Sequence, residues 1–137
     1  MTIGTFGNRS VHRGIWYNIE AANASGFPNT QDLACLTQMV DASELTTLNN
    51  AINNNDYYNA VVANCCDFAV TVWNSVASSS MQLDTGGSLL VPNELIGIIR
   101  TKSGYSNSFS MTQKSAQSIA YHTRGGYTLY PAGINKD

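Results

Sequence analysis

Five side chains in this sequence suit chemistry at neutral pH: the thiols of Cys35, Cys65 and Cys66 and the imidazoles of His12 and His122. An odd number of cysteines cannot close a disulfide framework. Cys65 and Cys66 are neighbours, and a bridge between neighbours is strained. No C-x-x-C pair occurs and the two histidines lie far apart, so no metal site is expected. A free, working thiol is the economical reading.

Cys65 is the thiol best placed for work. A break after Asn64 is followed by Phe68, Ala69, Val72, Trp73 and Val76 at helical spacing. This predicts a helix that starts near Cys65 and buries a Phe/Trp face. At a helix N-terminus the macrodipole and the unpaired N–H groups favour a thiolate. The same N–H groups can hold the oxyanion that forms when a thiolate attacks a carbonyl. The competing reading is a buried cysteine acting as a small hydrophobe. Cys66 carries that reading more easily, pointing about 100° around the helix from Cys65.

The word around Cys65 adds a resemblance. Asn64-Cys65-x-x-Phe68-Ala69 resembles the N-C-x-x-F-[AV] box of circularly permuted papain-fold hydrolases, a group that includes the permuted NlpC-like bacterial enzymes and the lecithin–retinol acyltransferase-like proteins. In the permuted order the histidine strand precedes the cysteine helix. His12-Arg13-Gly14-Ile15-Trp16-Tyr17 resembles the H-x-G-I-[YW] strand of that group and lies upstream of Cys65. Gly4-Thr5-Phe6-Gly7-Asn8, Gly14-Ile15-Trp16-Tyr17-Asn18 and Lys102-Ser103-Gly104-Tyr105 are similar to words of small secreted NlpC-like bacterial proteins. The resemblance implies a papain-like antiparallel sheet with the cysteine helix packed against it. It also implies cysteine amidase or endopeptidase activity without a cofactor, bacterial cell-wall peptide as substrate, and a secreted or cell-envelope location. In those secreted proteins a Gly-His word upstream of the Gly4-Thr5 region looks like the histidine donor, and the present chain begins after it. A natural N-terminus and leader beyond Met1 are therefore expected.

His12 is the provisional base, taking the thiol proton and returning it to the leaving amine. Its neighbour Arg13 disfavours the imidazolium. An exposed turn histidine is the plain alternative. His122, at the end of an apparent strand, is the second choice for the base, and an edge-strand histidine in solvent is its plain alternative. Asn18, Glu20 and Asn64 are candidates to orient the base, and Asn64 and Asn18 are candidates to serve the oxyanion as well. Asp67 suits the helix dipole. Tyr57, Tyr58, Tyr105, Tyr127 and Tyr130 can line a groove or sit half-buried in a sheet. Gly86-Gly87 and Gly125-Gly126 fit turns and no nucleotide-binding pattern.

The elements that must position these groups read as follows. Gly14–Glu20 and Tyr57–Ala63 are strand-like, and a short strand fits Ala34–Val40. Asn23 to Asn29 form a turn-rich stretch. Asp41 with Glu44 makes a capping box for a helix carrying Leu45, Leu48 and Ile52 on one face, ended by Asn53-Asn54-Asn55-Asp56. Ser78 to Gly87 is a loop. Pro92 opens a helix with Leu95, Ile98 and Ile99 inward and Gly104 as the stop. Ser118–His122 and Tyr127–Tyr130 pair around Gly125-Gly126. The expectation is one α+β domain over residues 1–137.

Bulk properties narrow the function classes. The 137 residues carry a net charge of -2 and only 12% charged side chains, with no Lys/Arg stripe, so nucleic acid is not an expected partner. No apolar run reaches the length of a membrane span. The N-terminus carries no signal-peptide pattern. A weakly charged polar surface suits an extracellular or envelope setting. Two competitors to the hydrolase stand: a papain-like binding or structural module lacking its histidine, and acyl transfer to a lipid or amine.

Overall fold

The computed structural model describes residues 1–5, 11–22, 34–86, 91–107 and 118–130. The expected turn over residues 23–29, residues 6–8 of the first matched word, and Gly87 lie outside this set. So do the side chains of His12 and Tyr130. The described elements are β1 (Ile3–Gly4), β2 (Val11–Arg13), β3 (Ile15–Tyr17), α1 (Ile19–Ala22), α2 (Ala42–Asn54), β4 (Tyr57–Asn59), α3 (Cys65–Asn74), α4 (Pro92–Arg100), β5 (Ile119–Thr123) and β6 (Gly126–Tyr130). All strand pairing among the described residues is antiparallel, which makes the chain α+β. Among the described residues no helix is long and apolar enough to cross a membrane.

Two compact units divide the chain: Met1–Pro28 with Asp56–Cys65 and Ser110–Asp137, and Asn29–Asn55 with Cys66–Phe109. The first unit holds a sheet of order β1-β3-β5-β6 and a two-stranded sheet of β2 and β4. Ile15 faces His122 across β3 and β5, and His12 faces Tyr58 across β2 and β4. The chain changes partner at Gly14, whose φ of 145° suits only glycine. Its N–H donates to the Asp56 carbonyl at 2.6 Å. The Tyr121 phenol lies against the Gly14 α-carbon and donates to the Arg13 carbonyl. Trp16, Ile19 and Ile119 form the core of this unit with Tyr121 packed on it, the Trp16 and Tyr121 rings 4.6 Å apart at 37°.

The strand expected over Gly14–Glu20 stops at Tyr17, because Asn18 turns the chain at a φ of 60°, a conformation asparagine tolerates. A helical turn, α1, follows it. The strand expected over Tyr57–Ala63 likewise stops at Asn59, whose side chain draws the next residues into a turn. The final hairpin forms where glycines were expected to turn it, with Arg124-Gly125 as the two-residue connection.

The second unit is helical. The Asp41 carboxylate accepts from the N–H of Ser43 and of Glu44, both at 2.8 Å, and Glu44 accepts from the Asp41 N–H at 2.9 Å. This is the expected capping box, and Asn55 ends the helix. Of the expected apolar face only Ile52 is buried; Leu45 is exposed. In α3 Phe68 is buried as expected, but the rest of the stripe differs in part from the expected one. Cys66 and Val70 are buried with Trp73 against Leu36, Leu83 and the α4 residues Leu95, Ile98 and Ile99, while Ala69 is exposed. Trp73 also donates to the Met81 carbonyl at 2.9 Å, which sets its side of the helix. The strand expected over Ala34–Val40 is a single bridge between Cys35 and Ser106, since Gln38 instead donates to the Val76 carbonyl at 2.8 Å. The helix opened by Pro92 ends at Arg100, three residues before the turn that contains Gly104.

Candidate functional site

The approach to Cys65 is a turn fastened by one asparagine. Asn59 exchanges both backbone hydrogen bonds with Ala63, each 3.0 Å. Its side-chain oxygen accepts from the N–H of Val61 at 2.9 Å and of Val62 at 3.2 Å. This is the local side chain-to-backbone bonding at which asparagine excels. Ala63 thereby folds back beside β4, Asn64 follows half-buried, and Cys65 is the first residue of α3. The Cys65 side chain is exposed, whereas Cys66 is 5% exposed and belongs to an apolar core. Adjacent thiols thus take opposite environments, as one residue of helical rotation dictates. Cys35 is half-buried and its thiol donates to the Ser106 carbonyl at 3.4 Å.

The first N–H groups of α3 have no acceptor within the helix, and the dipole places partial positive charge there. Asp67 lies in that first turn, where a carboxylate is favoured. An exposed sulfur at this position lies beside backbone N–H donors that suit an oxyanion.

Cys65, His12 and His122 fall in the same compact unit. His12 is central in β2, one register step from the row Val11–Asn59–Ala63. Neighbouring strands are about 4.8 Å apart, so that row puts the β2 backbone roughly 10 Å from Ala63. His122 is central in β5, half-buried, directly opposite Ile15 on one side and Tyr127 on the other. Strand alternation puts it on the sheet face opposite to the Trp16–Tyr121 pair.

Asn18 acts as a clamp. Its oxygen accepts from the Thr2 N–H at 3.1 Å and its amide donates to the Ser118 carbonyl at 2.9 Å, joining the start of the chain to the start of β5. Glu20 lies against Gly4, and one of its buried carboxylate oxygens has no partner among the described residues. Tyr57 and Tyr58 are half-buried on β4; Tyr105 and Tyr127 are exposed.

Sequence reasoning missed Asp56. Its side chain is 7% exposed and lies 3.5 Å from both Arg13 and Arg124. Arg13 also stands over the Tyr57 ring, 5.3 Å from its centre. The Arg13 charge expected to oppose an imidazolium at His12 is therefore offset by a carboxylate. Asp56 closes a run of asparagines, so in sequence it reads as one more helix terminator, and no local signal announces two partners so distant along the chain.

Among the described residues no group of three or more His, Cys, Asp or Glu side chains could hold a metal ion. The chain matches no protein-family model, no curated protein and no solved structure.

Proposed function

We propose that the chain is a cysteine amidase or endopeptidase of the permuted NlpC-like papain class, with Cys65 as nucleophile and a peptide, in the first instance bacterial cell-wall peptide, as substrate. The observation that carries this reading is the exposed Cys65 side chain at the first residue of α3, delivered there by a hydrogen-bonded turn. The resemblance of the Asn64-to-Ala69 box and of the His12-to-Tyr17 strand supplies the class, the secreted or envelope setting and the cofactor-free chemistry.

The reaction runs in two stages. An imidazole, His12 first and His122 second, takes the Cys65 proton. The thiolate adds to the amide carbonyl, and the first-turn N–H groups of α3 stabilise the oxyanion. Collapse expels the amine, which takes the proton back from the imidazolium. Water, deprotonated by the same imidazole, then attacks the thioester and releases the acid and the free thiol.

The test is the rate of iodoacetamide alkylation at Cys65 against pH, followed by peptide mapping so that Cys35 and Cys66 are scored separately. The expected profile rises well below the ordinary thiol pKa of about 8.5. Replacing the base, by His12→Ala or His122→Ala, should return that profile to the ordinary one and lower amidase turnover by about 10²- to 10⁴-fold. An ordinary profile in the unaltered chain would overturn the enzyme reading and leave a papain-like binding module as the better description.

A further inference from the structure

The turn that delivers Cys65 carries two apolar side chains that neither the core nor the turn requires. Val61 is 66% exposed and Val62 71% exposed. Burial therefore does not explain them. Turn geometry does not explain them either, because Asn59 supplies the bonds that hold the turn, and β-branched residues are poor turn formers. Scattered exposed hydrophobes are ordinary on a protein surface. These two are adjacent, lie on a fixed turn, and sit in a stretch from Tyr57 to Cys66 that contains no charged residue.

Their distance from the thiol is bounded by the chain. Three peptide units of about 3.8 Å separate Val62 from Cys65, so the two α-carbons lie within about 11 Å of each other. A group bonded to a carbonyl under attack by the sulfur spans that range with one side chain of ordinary length. We propose that Val61 and Val62 form the wall of a subsite for an apolar acyl group. On this view the preferred substrates carry an apolar side chain on the acyl side of the scissile bond. The proposal rests on Cys65 being the reactive thiol and adds the class of group it accepts.

The experiment compares two alkylating reagents on the full chain: iodoacetamide and its N-hexyl derivative. The second-order rate at Cys65 is read for each by mass mapping. The ratio of the two rates cancels the thiolate fraction, so it is independent of the pH profile that tests the nucleophile. The same ratio in the urea-unfolded chain is the reference. The folded chain should prefer the hexyl reagent by roughly tenfold over that reference, the factor expected when about two methylene groups leave water. The pair Val61→Ser, Val62→Ser should bring the ratio back to the reference. The pair Val61→Thr, Val62→Thr, which keeps the β-branched shape, should do the same and guards against loss of the turn. A folded ratio equal to the unfolded one, or a raised ratio that survives both pairs, overturns the proposal. So does a ratio that falls as protein concentration rises, because the valines would then be covering a second copy of the chain.

Discussion

At Gly14 the backbone sits at a φ of 145° with the Tyr121 phenol against its α-carbon, so a methyl group there meets both strain and a ring. Gly14→Ala should lower stability by about 3 kcal/mol, the sum of a left-handed backbone penalty and local overpacking. Urea denaturation measures this, and adding Tyr121→Ala should recover part of the loss, since the ring is the obstacle. The Asp56 carboxylate has a different logic. It is nearly buried while both arginines are well exposed. Arg13→Ala or Arg124→Ala alone leaves one cation in place and should cost under about 1 kcal/mol. Both together leave a buried charge uncompensated and should cost about 3 kcal/mol, well beyond additive. Additive losses in a double-mutant cycle would show that solvent already neutralises Asp56.

At the level of elements, what was legible in the sequence was what is settled within a few residues. The Asp41–Glu44 box starts α2 where the pattern placed it, and the break before Cys65 starts α3. Hydrogen bonding from the Glu44 backbone N–H, and after it from Ser43, holds the Asp41 carboxyl below the ordinary aspartate range. A lowered folded value means that the cap stabilises fully above the unfolded value and is lost as pH falls through the folded one. Asp41→Ala should therefore reduce the urea midpoint at pH 7 without changing the slope. The variant and the parent should converge once the pH has fallen through the folded value, where the carboxyl is protonated in the folded and the unfolded chain alike. What was not legible depended on distant partners. The buried stripe of α3 is set by α4, Leu36 and Leu83, so Ala69 is exposed although it shares a periodic face with Phe68 and Trp73. Asn18 and Asn59 end strands through their own side chains, and a strand-forming sequence gives no warning of that at its last residue. Of the candidate site, the position of Cys65 could be read locally. So could the assignment of the buried role to Cys66, whereas the pairing of Arg13 with Asp56 could not.

At the scale of the whole molecule, each compact unit is assembled from separate stretches of chain, with crossings after Pro28, Asn55, Cys65 and Phe109. Each unit has one tryptophan: Trp16 in the core of the first and Trp73 against the core of the second. Unfolding one unit would lengthen the loops that close the other, at an entropic cost. In each single-tryptophan variant, Trp16→Phe and Trp73→Phe, the urea midpoint read by the remaining tryptophan should therefore coincide with the one read by far-UV circular dichroism. Separated midpoints would mean that the units are independent. The Asn59 turn has a consequence for timing. Every bond that fastens it spans only a few residues, whereas β5 meets β3 across most of the chain length. On a ribosome the turn can form as soon as residues 59 to 63 emerge, while the strand that carries His122 is complete only after residue 123 has emerged. A nascent chain would thus display its sulfhydryl before that imidazole exists. The partner strand of His12 is complete once residue 59 has emerged, so stalled chains of graded length would tell the two candidate bases apart by when thiol reactivity first appears.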